Sequence, residues 1–550
     1  MEVTQSLITV FYTQLHFDYV TLVLVAVKGI IKIFLFVIAC IMGPISAIRH
    51  LKKPKRCPPI TNQLIFLPAT EVARRIRRRE ITSEEVVSTY IARCREVNPI
   101  LNAIVEDRFE IALMEARQID NFLKTDKKTV EELEKNVPLL GVPVTVKESI
   151  GVEGMSHAAG VKKPKPRIAM ADADVVRRTR LAGGIPLLVS NTPELCLCWE
   201  TYNNVTGTTK NPYDNRRTSG GSSGGEAALL GAGASVLSLA SDIGGSCRLP
   251  AMFCGVFGHK PTPGWVSVSG HYPDCTDKKW PSFFTIAPMV RYAKDLPMFL
   301  KVISQNPEVA NRLDQKVDLK KLRYFYFEHD KSNGPISAID EDMKSAIERL
   351  TRYMNTTHGS IVQKADVKDL KFAFEFASVL LAELEGVDSI FMKGTDPREW
   401  KSVTIELLKY LCFLSPHTLH AMLYGIVTQF VKKLPKSFKA KMAEQNRSVK
   451  KELEELLGDN GVLIYPTFPS AAFFPYQLAQ RICNVTYMMI FNSLQFPVTQ
   501  CPMGINGKGL PIGLQIAAKP NCDHLTIAVA QEIEKAFGGW QPPAIEVKVA

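Results

Sequence analysis

No cysteine arrangement in this chain reads as a metal site or a disulfide framework. The twelve cysteines are scattered from Cys40 to Cys522, and the one close pair, Cys196 and Cys198, is too tight for a zinc knuckle and has no second pair to complete it. Free, mostly buried thiols are the expectation, and no metal or other cofactor is called for. Histidines are few, ten in 550 residues, and the two near the glycine-rich centre, His157 and His259, lack the context of a histidine-based triad. The run from Gly220 to Gly225 lacks the lysine and hydroxyl of a phosphate-binding P-loop. No internal repeat, low-complexity tract or nucleic-acid recognition motif occurs, so the net charge of +12 does not point to nucleic acid. An excess of positive charge suits an anionic membrane surface instead. Apolar content of 46% over this length describes a folded chain with a large core.

What the sequence does have, near its start, is one long apolar run. Tyr19 to Ile45 is long enough to cross a bilayer as a helix, although Lys28 and Lys32 interrupt one face of it. A single-pass anchor is the first expectation, and an interfacial, monotopic helix beginning near Lys28 is the second. A cleaved signal peptide fits poorly, because neither a short basic start nor a small-residue cleavage site frames the run. Arg49, Lys52, Lys53, Lys55 and Arg56 follow it and, if the run spans, favour the cytoplasmic side, with the orientation left open, while Pro54, Pro58 and Pro59 read as a stiff spacer. Residues 1–60 are therefore taken as membrane anchor and linker, and 61–550 as the globular domain.

Within that domain, helical and strand-like patterns alternate, which predicts a mixed α/β core. Helices are expected from Ala69, from Thr82 until Asn98-Pro99 stops it, from Arg108 to Leu123 and from Ala171 to Leu181. Strands are expected over 101–106, 139–147, 185–190 and 461–467, with late elements at 509–516 and a closing helix near 525–537. Residues 191–215 read as a loop, in which Thr192 and Glu194 are candidates for entrance or substrate contacts. A mainly helical portion spans about 300–455. Inside it, the apolar segments at 407–414 and 421–431, followed by Lys432, Lys433 and Lys436, suit a helical pair at a membrane interface.

The chemistry concentrates between Thr218 and Pro250. Ser222 lies in the first double-glycine block, Ser219 to Glu226, and Ser246 in the second, Ser241 to Pro250. Glycines this dense let the backbone approach a ligand closely, and convergent N–H groups there could hold an anion. Either serine would need an activating base. The apolar run Leu139 to Val146 delivers Lys147 to its end, where burial would lower the amine's pKa and fit it for that task. A lysine merely marking the solvated end of a strand is the alternative.

Taken together, Lys147, Ser222 and Ser246 resemble the Ser–cis-Ser–Lys triad of the amidase signature family, over about residues 65–545. The likeness is strongest to the membrane-associated fatty-acid amide hydrolases of the second type. Cys247 departs from the isoleucine or valine that usually follows the nucleophile there. The resemblance implies an amidase-like mixed central sheet surrounded by helices, preceded by the N-terminal membrane-associated helix. It also implies a cis peptide before Ser222, and a mechanism in which Ser246 attacks an amide carbonyl, Ser222 relays the proton and neutral Lys147 receives it. Backbone N–H groups of Ile243, Gly244, Gly245 and Ser246 would then form the oxyanion hole. Ser223 would support by hydrogen bonding, and Asp242 would pair with Arg248 beneath the loop.

The implied substrate is a fatty-acid primary amide or N-acylethanolamine, and the implied partner a lipid membrane, in the endoplasmic reticulum or another internal compartment. A homodimer is compatible with the family. Three other readings stay open: an anchored amidase for small or peptide-like amides, the amidase subunit of an RNA-dependent amidotransferase, and a noncatalytic membrane scaffold.

Overall fold

Runs of β-branched and aliphatic residues build one mixed, eleven-stranded sheet. In chain order its strands are β1 (Ile104–Asp107), β2 (Pro143–Lys147), β3 (Ile185–Ser190), β4 (Leu237–Asp242), β5 (Phe257–Lys260) and β6 (Thr285–Val290). They continue as β7 (Arg323–Tyr326), β8 (Ile361–Lys364), β9 (Gly461–Pro466), β10 (Val498–Ile505) and β11 (Pro511–Ala517). The order across the sheet is β1-β3-β2-β4-β6-β5-β10-β11-β9-β7-β8. Strand β2 runs parallel to both β3 and β4, bringing Lys147 level with Ser190 on one side and Val146 level with Leu239 on the other. Every residue of β2, β3 and β4 is buried, as strands covered on both faces require.

The computed structural model describes residues 53–304, 306–327, 336–393, 396–475 and 477–544, with isolated positions before residue 53. The apolar segment from Tyr19 to Ile45 lies outside the described residues apart from such positions. Among the described residues no helix is long and apolar enough to cross a membrane.

Several boundaries differ from the sequence reading for local reasons. Asn98-Pro99 does not stop its helix, which runs from Ser83 to Leu101. A proline in the last turn removes only one hydrogen bond, and Asn98 Oδ1 recovers the end by accepting from the N–H groups of Ala103 and Ile104. Strand β1 therefore begins at Ile104 rather than Leu101. The helix expected from Ala171 begins at Asp174, because the Ala173 N–H donates to the Gly151 carbonyl at 2.8 Å and keeps that stretch extended. The portion at 300–455 contributes β7 and β8 to the central sheet as well as its helices. The linker is not a free spacer throughout. The Cys57 N–H donates to the Pro212 carbonyl at 3.1 Å, and Arg93 Nη2 donates to the Pro58 carbonyl at 2.8 Å, fastening 55–59 to the domain.

Candidate active site

Three parallel strands and two glycine-rich turns converge on one buried cluster. Lys147 closes β2, Ser241 and Asp242 close β4, and Ser222 and Ser246 stand on the turns that enter the helices Gly224–Gly231 and Arg248–Phe253. The first turn is tight because a side chain at Gly225 would put its Cβ 2.6 Å from the Asn191 backbone. The second depends on Gly245, whose φ of +101° and 2.7 Å approach to Met488 Cβ exclude a larger residue.

Lys147 Nζ lies 2.7 Å from Ser222 Oγ and 2.9 Å from Ser241 Oγ. The Gly221–Ser222 peptide is cis. The Ser223 N–H donates to the Ser246 carbonyl at 3.1 Å, coupling the two turns directly, and Ser223 Oγ donates to the Ser241 carbonyl at 3.4 Å. Exposure falls from Ser246 (6%) to Ser222 (1%) to Lys147 (0%), so the serine nearest solvent is Ser246 and the amine is deepest. Burial pushes the Lys147 amine below its ordinary value, with Cys196 and Asp242 acting against that shift. The alternative of a lysine at a solvated strand end does not describe this side chain.

Below Ser246, Arg248 donates through Nε and Nη2 to both oxygens of Asp242, at 3.1 and 3.0 Å, with both side chains fully buried. Burial alone would raise the Asp242 carboxyl, but Arg248 and the Gly245 N–H outweigh it and hold the group at about 2. That same bond, Gly245 N to Asp242 Oδ1 at 2.9 Å, occupies one of the four N–H groups expected in an oxyanion hole. The N–H groups of Ile243, Gly244 and Ser246 have no partner among the described residues. Trp199 Nε1 donates to the Gly244 carbonyl at 3.0 Å, and Trp199, Val485 and Met489 form the apolar surroundings of Gly244. Cys247 is buried beneath the turn.

Thr192 and Glu194 are both buried, and neither faces an open entrance. Thr192 Oγ1 donates to the Ser222 carbonyl at 3.0 Å. Glu194 accepts from the Thr418 N–H and pairs with His417 Nδ1, each at 2.7 Å. Thr418 is the N-cap of the helix Leu419–Lys432, so Glu194 ties the loop beside the site to the apolar helical pair. A shallow surface pocket bordered by Leu381, Gly386, Tyr424, Thr428 and Lys432 lies in that helical portion and includes none of Lys147, Ser222 and Ser246.

Two neighbours of Lys147, Ser241 and His271, are not among the residues singled out from the sequence. Ser241 opens the second serine-glycine block, and His271 lies 30 residues further on, with Nε2 at 3.2 Å from Ser241 Oγ. Strand alternation could have found Ser241, since β4 must bring it beside the end of β2. Nothing local marks His271.

A buried lysine amine in contact with one serine, beside a second serine on a turn with N–H groups unpaired among the described residues, is an arrangement suited to acyl transfer. The solved structure of a fatty acid amide hydrolase superimposes with a TM-score of 0.70 over 87% of each chain, at 20% identity, a likeness of fold alone. The chain belongs to the amidase family, whose model, described as Amidase, matches residues 85–527, and it is an amide hydrolase. It is 41% identical to fatty-acid amide hydrolase 2-A of Danio rerio over 495 residues, 89% of this chain and 92% of that one. It is 38% identical to fatty-acid amide hydrolase 2 of Homo sapiens over 490 residues, 88% and 92% of the two chains.

Proposed function

We propose that this amide hydrolase cleaves fatty-acid primary amides and N-acylethanolamines at a membrane surface, releasing the fatty acid and ammonia or ethanolamine. The observation that carries the mechanism is the 2.7 Å contact between a fully buried lysine amine and Ser222 Oγ, with the next residue, Ser223, bonded through its N–H to the Ser246 carbonyl. Ser246 Oγ attacks the carbonyl carbon as its proton passes to Ser222 Oγ, and the Ser222 proton passes to neutral Lys147. The relay then runs in reverse, and Ser222 delivers a proton to the departing amine. Water enters, the acyl–Ser246 ester is hydrolysed by the same relay, and the acid leaves. Charge on the carbonyl oxygen is met by the N–H groups of Ile243, Gly244 and Ser246, each worth about 3 kcal/mol at the transition state.

The acyl specificity is supported by the names and identities of the relatives and by the apolar residues around Gly244. Each methylene removed from water contributes about 0.8 kcal/mol, which makes chain length an effective selector. Membrane contact is supported by the helices Val403–Leu411 and Leu419–Lys432. Ile405, Leu408, Leu411 and the connecting Phe413 and Leu414 are exposed there, the last two at 96% and 74%. Exposed apolar side chains gathered this way mark an interaction site. The test is hydrolysis of a matched acyl-amide series by wild type and Ser246→Ala, following acid and amine together. Turnover that rises with acyl length and vanishes in the variant is expected. A preference for short amides overturns the substrate class, and persistent turnover in the variant overturns the nucleophile.

A further inference from the structure

A neutral lysine amine has two N–H donors and one lone pair, and it can serve as base only when that lone pair faces the Ser222 hydroxyl. The surroundings of Lys147 contain a device that sets this direction. Ser241 Oγ lies 2.9 Å from Nζ and, on its other side, 3.2 Å from His271 Nε2. The other ring nitrogen, Nδ1, lies 2.9 Å from the carbonyl oxygen of Pro273. A carbonyl only accepts, so Nδ1 carries the hydrogen, and in a neutral ring Nε2 is then an acceptor.

The ring stays neutral because it is buried and packed against Phe284 at 4.5 Å between ring centres. Burial brings the imidazole down to about 3. An acceptor at Nε2 draws the Ser241 hydroxyl hydrogen toward itself. Ser149 Oγ, 3.0 Å from the same nitrogen, shares that lone pair in a three-centre arrangement. With its hydrogen turned to His271, Ser241 presents a lone pair to Lys147 and accepts one of its N–H groups. The reverse polarity, with the Ser241 hydroxyl donating to Nζ, would occupy the lone pair that Ser222 needs.

We propose that His271 is a positioning residue which, acting through the Ser241 hydroxyl, keeps the Lys147 lone pair directed at Ser222. It touches neither substrate nor the reacting atoms. The proposal rests on the reading of Lys147 as the base in the proposed function.

Two substitutions separate positioning from mere structure. His271→Asn retains an amide N–H for the Pro273 carbonyl but withdraws the acceptor from Ser241. His271→Gln restores a carbonyl at the distance of Nε2. The assay is the rate of covalent labelling of Ser246 by a fluorophosphonate, alongside kcat and KM for a long-chain amide and the midpoint of thermal unfolding. His271→Asn is expected to lower the labelling rate and kcat by roughly tenfold, with KM held within about twofold. His271→Gln should recover to within about threefold of wild type. Ser241→Ala should lose about as much as His271→Asn, and the double variant should lose no more than Ser241→Ala alone.

Wild-type labelling rates in His271→Asn would overturn the proposal. So would multiplicative losses in the double variant, or equal impairment of the Gln and Asn variants when both melt like wild type. Labelling requires no amide substrate. A chain that labels at Ser246 but hydrolyses no fatty amide therefore defeats the substrate reading while still testing His271, whereas labelling that survives Ser246→Ala defeats the nucleophile and this proposal with it.

Discussion

Arg248→Met should be among the most damaging single substitutions in the domain, and its damage should depend on pH in a particular direction. The guanidinium meets Asp242 through two nitrogens and also donates to Gln515 Oε1 at 2.8 Å, Asn492 Oδ1 at 2.7 Å and the Met488 carbonyl at 3.0 Å, all in a buried setting. Methionine matches the volume but leaves the Asp242 charge without its cation, a loss of about 3–5 kcal/mol. Buried Lys260 is held down to about 7 by burial and then by Arg248. Without Arg248 it charges more readily and offsets part of the loss, so the lower end of that range is expected. In the wild type the carboxyl is depressed to about 2 from 3.8, and the stability this supplies is present above 3.8 and lost as pH falls through 2. In the variant, burial without the guanidinium raises the carboxyl, so the penalty is full at alkaline pH and lessens as protonation neutralises the group. The gap in thermal midpoint between wild type and Arg248→Met should therefore be wider at pH 8 than at pH 5, and Asp242→Asn/Arg248→Met should close part of it at pH 8. A gap independent of pH, or a double variant less stable than the single one, would refute this account of the pair.

Two further outcomes follow from the same geometry. Because Lys147 must be neutral to accept a proton, kcat should fall as pH drops through its lowered pKa, and Lys147→Met should lose roughly 10²–10⁴ in kcat, read from a pH–rate profile on one amide. Phe413→Asp combined with Leu414→Asp should weaken sedimentation with anionic lipid vesicles while leaving turnover of a soluble short-chain amide unchanged, since both side chains are exposed and belong to no part of the Lys147–Ser222–Ser246 cluster. Vesicle binding equal to wild type would remove this surface from the membrane reading.

The candidate positions Lys147, Ser222 and Ser246 could be picked out because each is announced locally, Lys147 by an apolar run ending in one charge and the two serines by glycine blocks. The strands at 143–147, 185–190 and 461–466 were legible for a related reason, since strands buried on both faces appear as continuous apolar runs. What escaped depends on contacts distant in sequence. Glu194 reads as a loop carboxylate until the helix capped by Thr418 is seen to rest on it, across 224 positions. Strands β7 and β8 are short, carry charged residues and lie among helices, so their pattern alone did not separate them from their surroundings. The oxyanion turn was read as four equivalent N–H donors, yet Asp242 takes Gly245, a choice set by side-chain reach that a list of glycines cannot express.

The buried charges around Ser246 also explain why an arginine is needed there as well as a lysine. In the proposed mechanism Lys147 serves as a base only if no carboxylate adopts it as a counterion, because such a pairing would raise its pKa and keep it protonated. Asp242 lies close enough to exert that pull. Arg248 prevents it by taking both carboxylate oxygens in a forked arrangement that a lysine could not reproduce, while the Gly245 and Cys247 N–H groups use remaining acceptor capacity at 2.9 and 3.2 Å. The neutral hydroxyl of Ser241, itself turned toward His271, is left as a direct partner of the amine at 2.9 Å. The same carboxylate that braces the Ser246 turn is thus kept from disabling the base, and the two requirements are met by one guanidinium.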